Sequence, residues 1–257
     1  MENVRNRNAL MGVSSRRGLL TLAAGAAAWP ASRALAQSVK PSVDLALIMA
    51  TDVSLSIDEG ETSLQRIGYV SAFRVKRVSA AIHNGPVGRI AVTYVEWSSP
   101  YHQSVRIPWR VLEDEKSCNA FADTLQKMPV EQGTTTSISA AIDFCVKMFS
   151  TLEYEPTRKV IDVSGDGYSD VGRPITTARD EAVKAGVTIN GLPVMNEDPK
   201  KNAAPPDLDI YYRDNVIGGP GSFYVVARNL KGFSESLLKK LILEIAGDPA
   251  EIARLGG

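Results

Sequence analysis

From Val43 to Thr51 the chain is apolar at nearly every position (Val-Asp-Leu-Ala-Leu-Ile-Met-Ala-Thr), the pattern of a strand buried on both faces. Between Ile57 and His83 the apolar residues Leu64, Ile67, Val70, Phe73, Val78 and Ile82 recur mostly at three or four, which predicts a helix closed by Gly85-Pro86 and Gly88. Residues 89–97 read as a second strand. After Ser98-Ser99-Pro100, residues 103–109 alternate polar and apolar, as an edge strand paired in a hairpin does. Two helical stripes follow, Cys118, Phe121, Leu125, Met128 and then Ile138, Ile142, Cys145, Phe149. Residues 158–164 form another apolar strand, and a helix over 174–185 leads into a strand within 187–194. Residues 195–221 read as a long loop rich in Pro, Asn, Asp and Gly. Phe223–Ala227 predicts a last strand, and Phe233, Leu237, Leu241 and Ile245 stripe a closing helix.

Strands alternating with helices predict an α/β fold. The expected form is a doubly wound, mostly parallel six-stranded sheet with one antiparallel edge strand and helices on both faces. In such sheets ligands bind outside the carboxyl ends of the strands, so chemistry is sought in the loops directly after them.

Residues 1–36 stand apart from this pattern. Arg5, Arg7, Arg16 and Arg17 make a basic start, Leu19–Trp29 is apolar but short for a bilayer span, and Ala34-Leu35-Ala36 is a small-x-small cleavage pattern. This predicts an export signal. Ser15-Arg16-Arg17-Gly18-Leu19-Leu20 resembles the twin-arginine type. An anchoring helix is the rival reading, against which Pro30, Ser32 and Arg33 interrupt the apolar run. Residues 37–257 are then expected as a single domain in the periplasm or medium of a bacterium, with no later transmembrane segment.

Charge and composition narrow the function. The 257 residues carry 29 Lys+Arg and 29 Asp+Glu. Losing residues 1–36 removes five Arg and one Glu, leaving a net charge of −4. Nucleic acid is not an expected partner of such a chain. Two Cys exclude a disulfide-dense scaffold or a Cys-rich zinc site. Export would permit a bridge between Cys118 and Cys145; buried thiols on apolar stripes are the other reading.

Three loops carry matching chemistry. Asp52-Val53-Ser54-Leu55-Ser56 follows the first strand, Gly133-Thr134-Thr135-Thr136 precedes a helix, and Gly165-Asp166-Gly167 follows the strand 158–164. All offer hard oxygen donors, which suit Mg²⁺ or Mn²⁺ rather than zinc or copper. Each piece also has an ordinary reading: Ser56 with Glu59 could form a capping box, and Asp166-Gly167 alone is a common turn.

Together the three loops resemble the metal-ion-dependent adhesion site of von Willebrand factor A domains. That family's pattern is Asp-x-Ser-x-Ser, a Thr in the middle loop, and Asp-Gly after the fourth strand. The resemblance covers residues 43–246 and implies a von Willebrand A (Rossmann-like) fold with Asp52, Ser54, Ser56, Thr136 and Asp166 at a metal site. Thr136 is preferred because it lies six residues before Ile142, as the family's metal Thr does before an apolar helix residue; Thr135 and Thr134 stand behind it. Leu55 departs from the pattern where many members carry Gly. The wider sequence, notably Tyr94-Val95-Glu96-Trp97 and Asp207-Leu208-Asp209-Ile210-Tyr211-Tyr212, looks like a bacterial exported subfamily without an established function.

The resemblance implies a binding module, not an enzyme. It would hold Mg²⁺ (or Mn²⁺ or Ca²⁺) and capture a protein partner's Asp or Glu. The rivals are a metal-dependent hydrolase or phosphotransferase using Asp52, and a scaffold that needs no metal. Glu96 and Asp162 are expected as buried, hydrogen-bonded carboxylates, Glu96 with some prospect of touching the site. His83 and His102 are expected at the surface, and Tyr211 and Tyr212 either pack the long loop or face a partner.

Overall fold

The run that is apolar throughout takes the centre of the sheet, where both faces are covered. In the computed structural model, which describes residues 40–55, 59–129, 131–195, 204–228 and 230–247, β1 (Ser42–Asp52) lies between β2 (Ile90–Trp97) and β4 (Glu155–Gly165), parallel to both. β5 (Val187–Pro193) pairs parallel with β4, and β3 (Gln103–Leu112) returns antiparallel beside β2. The order is β3-β2-β1-β4-β5. β3 forms the edge, which tolerates Pro108, and a register irregularity opposite Tyr94 bends it.

Leu45, Leu47 and Met49 of β1 enter one core with α1 (Glu59–Arg74), α2 (Lys76–His83), α3 (Glu115–Lys127) and α7 (Leu230–Ala246). Ile48 and Ala50 enter the other, with α4 (Ile138–Met148) and α5 (Ile175–Lys184). This is the period-two division expected of a doubly covered sheet.

Four expectations change. The helix expected over 57–83 is broken at Val75, which is extended (φ −76°, ψ 123°). The step from Phe73 to Val78 is five residues, too long for one helical face, and the break returns both side chains to the core. Ile67, expected on the buried stripe, is instead exposed.

The sheet has five strands rather than six. Residues 223–227 hold the sixth position only through bridges of Gly191 with Tyr224 and Val194 with Ala227. The two bridges share one register, and Gly191 N–H donates to Phe223 O, Ala227 N–H to Pro193 O and Met195 N–H to Ala227 O. The bond a parallel ladder needs between them would come from the N–H of residue 193, and proline has none.

The loop expected over 195–221 contains α6 (Leu208–Tyr211) and a wide π turn over Tyr212–Val216. The expected leader falls outside the described residues, among which no helix is long and apolar enough to cross a membrane.

Candidate functional site

Asp52 ends β1 at the carboxyl edge of the sheet, where it is fully buried. Its Oδ1 accepts the Ser54 N–H at 2.8 Å, and the Ser54 hydroxyl also hydrogen-bonds the carboxylate. Its Oδ2 has no hydrogen-bond partner. Burial first, and then the charge of Asp166, push the Asp52 carboxyl well above the usual carboxylate range; Ser54 opposes the shift and Asp170 adds to it. None of these groups is a cation.

The middle loop is stitched to this turn. Gly133 N–H donates to Val53 O at 2.7 Å and Leu55 N–H to Thr134 O at 3.3 Å. A Cβ on Gly133 would lie 2.0 Å from Ser98 Oγ, so only glycine lets the loop run so close to the end of β2. Of the three threonines, Thr134 is exposed, Thr135 half-buried and Thr136 buried. The Thr136 carbonyl accepts the N–H groups of Asp170 (2.9 Å) and Val171 (3.4 Å). Its Oγ1 lies 3.9 Å from where a Cβ on Gly167 would stand. Thr136 is thus the threonine brought against Asp166-Gly167.

The third loop leaves β4 at Gly165. A Cβ on that residue would lie 3.0 Å from Asp52 Oδ2 and 2.9 Å from the Tyr212 hydroxyl. Asp166 follows, buried. Asp52, Ser54, Thr136 and Asp166 therefore gather at one sheet edge, while Ser56 lies outside the described residues.

The donors fit a hard divalent cation. Two buried carboxylates repel each other, one of them has an oxygen without a partner, and buried hydroxyls stand beside them. Among the described residues no group of three or more His, Cys, Asp or Glu side chains could hold a metal ion, so hydroxyl oxygens are needed to complete the donor set.

Two residues of the site were not legible as such in the sequence. Asp170 accepts the Thr136 N–H through its side chain. Tyr212, from the long loop, is fully buried beneath the edge, and its hydroxyl has no hydrogen-bond partner. Tyr211 is half-buried, stacks beside Tyr168 and accepts the Ser169 N–H at 3.2 Å, so this pair packs the loop down.

Other candidates serve the scaffold. Glu96 is paired with Arg66 (2.6 Å) and Arg106 (3.5 Å) and is not a site residue. Asp162 is paired with Lys240 at 2.6 Å. His83 is exposed. Cys118 and Cys145 are both free thiols, one in each core, so the sheet stands between them and no bridge forms.

A protein family described as "Protein of unknown function (DUF1194)" matches residues 42–249. No curated protein sequence matches. In fold the chain is similar to proximal thread matrix protein 1 from the mussel byssus (16% identity, TM-score 0.56, covering 80% of this chain and 49% of that one). It is also similar to BatB from Bacteroides thetaiotaomicron (17%, 0.51, 79% and 100%) and to von Willebrand factor type A from Catenulispora acidiphila (13%, 0.54, 79% and 43%). The chain spans about half the length of the mussel protein, which has also been solved with a zinc-occupied MIDAS motif. The shared property at these identities is the von Willebrand A fold.

Proposed function

The chain belongs to the DUF1194 family, and on that footing we propose that it is an exported binding module whose metal site captures a carboxylate of a protein partner. The site comprises Asp52, Ser54, Thr136 and Asp166, with Ser56 added from the sequence pattern. Mg²⁺ is the first candidate ion, ahead of Mn²⁺ and Ca²⁺. The observation that carries the reading is Oδ2 of Asp52, a fully buried carboxylate oxygen without a hydrogen-bond partner, set against a second buried carboxylate. Such a pair is costly unless a positive charge joins it.

When bound, the ion supplies an electrophilic centre at which an outside carboxylate oxygen can complete the coordination. Ser54 and Thr136 contribute neutral oxygens, so the positive charge is only partly cancelled by the chain itself. Ser54 also holds Asp52 in its turn through N–H and hydroxyl alike. Beside the site Leu55, next to Ser54, is 60% exposed and Tyr168, two residues after Asp166, is 38% exposed, apolar surface that favours a protein as partner.

A nucleophilic role for Asp52 suits the site less well. Ser54 occupies one oxygen, and the residue has no exposed surface from which to attack a substrate. The basic start and apolar run within residues 1–36 support presentation in the periplasm or medium.

Calorimetric titration with Mg²⁺ tests the reading. The native protein is expected to bind, and Asp52→Ala and Asp166→Ala to lose binding while keeping their circular dichroism. Unchanged Mg²⁺ affinity in both variants overturns it.

A further inference from the structure

We infer that Tyr212 is a positioning residue of this site, its hydroxyl facing Oδ2 of Asp52 across Gly165 and fixing how that carboxylate is set. The inference rests on the metal reading above and adds a residue from an element that contributes nothing else to the donor set.

Two buried oxygens lack partners here, Asp52 Oδ2 and the Tyr212 hydroxyl, and both face the same small space. The absent Cβ of Gly165 defines it, at 3.0 Å from the carboxylate oxygen and 2.9 Å from the phenol oxygen. The phenol can donate and the carboxylate can only accept, so the pair is chemically matched. A small side-chain rotation, or one intervening water, would let the phenol steady that oxygen while its second lone pair stays open to the ion. Left apart, each would carry the penalty of an unsatisfied buried polar group.

The chain is shaped around this ring. A Cβ on Gly191 in β5 would lie 2.7 Å from the Tyr212 ring, so two neighbouring strands each carry glycine where the tyrosine passes. The ring is carried on the π turn, in which Ile217 N–H donates to Tyr212 O at 3.0 Å across five residues. Such turns are infrequent and concentrate at functional sites. Phenylalanine would fill the same apolar surroundings of Val216, Leu208 and Ile189 without an orphaned hydroxyl. The oxygen therefore serves the carboxylate rather than the packing.

Tyr212→Phe removes that oxygen alone, and Tyr211→Phe is the control on the adjacent residue. Mg²⁺ titration of the whole chain is expected to show about a tenfold loss of affinity in Tyr212→Phe and none in Tyr211→Phe. The metal-free thermal midpoint of Tyr212→Phe should fall modestly, because the buried Asp52 Oδ2 is left without its donor. Adding Mg²⁺ to the native protein should also produce a near-ultraviolet tyrosine difference band that Tyr211→Phe keeps and Tyr212→Phe loses, a signature packing alone would not move. Native affinity in Tyr212→Phe, or a band that survives in it, overturns this inference and leaves the metal reading standing. A native protein that binds no Mg²⁺ removes both.

Discussion

The backbone N–H of Thr136 donates to Oδ1 of Asp170 at 2.9 Å, and the carbonyl of Thr136 accepts the Asp170 N–H at the same distance. This reciprocal pair locks the threonine loop to the loop after β4. Asp170→Ala is expected to cost about 1 kcal/mol by denaturant unfolding and to weaken Mg²⁺ binding severalfold. Asp170→Asn keeps an acceptor oxygen and should retain most of the stability. Equal behaviour of the two variants would show that the clamp does not matter.

Lys240 lies 2.6 Å from Asp162 and also pairs with Glu244, all three buried where α7 meets the sheet. Asn190 donates to Glu244 at 3.0 Å. Lys240→Met would leave two carboxylates uncompensated, and a loss of about 3–5 kcal/mol is expected by urea denaturation. The measurement is made at about pH 8, where Glu244 has released its proton, and a cost below about 1 kcal/mol there would show that Lys240 does not hold the two carboxylates in place.

The same cluster makes stability depend on pH. Burial, and after it the Asp162 charge, push the Glu244 carboxyl up to about 7, and Asp162 moves the same way for reasons of burial. The folded chain therefore holds a proton here that the unfolded chain has already released. The resulting contribution is fully present below the ordinary glutamate range and is lost as pH rises through about 7. Relative to Glu244→Gln, the thermal midpoint of the native protein should fall between about pH 5 and pH 8. Parallel curves for the two proteins would refute the assignment.

Cys118 and Cys145 are buried in separate cores, and burial pushes the Cys118 thiol up to about 12 and that of Cys145 further still. Neither is expected to react with a thiol reagent in the folded protein, and both should react in denaturant. A reductant should leave the thermal midpoint unchanged, whereas a drop would reveal a bridge.

The alternation of apolar runs and helical stripes revealed the layered fold because burial on two faces leaves a periodic mark on each element. Val75 escaped that reading, since the five-residue step from Phe73 to Val78 signals a break only once both are known to face one core. The failed sixth strand escaped it too. Pro193 is harmless in a strand with a free edge and disruptive only when a partner seeks its missing N–H.

At the candidate site, Asp52, Ser54 and Asp166 stood out because their loops directly follow recognisable strands, whereas Thr136 was singled out among three threonines by the resemblance to the adhesion-site pattern. Asp170 and Tyr212 were not. Their roles are set by groups far along the chain, the Thr136 amide in one case and Gly165 and Gly191 in the other.

The single bond that Pro193 withholds makes one margin of the sheet easier to peel than the rest. Residues 223–227 can lift from β5 at the expense of a few bonds while Leu45–Met49 stay sealed between two layers. Deuterium should accordingly reach the amides of Val225 and Ala227 well before those of β1, through an opening that leaves the far side of the sheet closed.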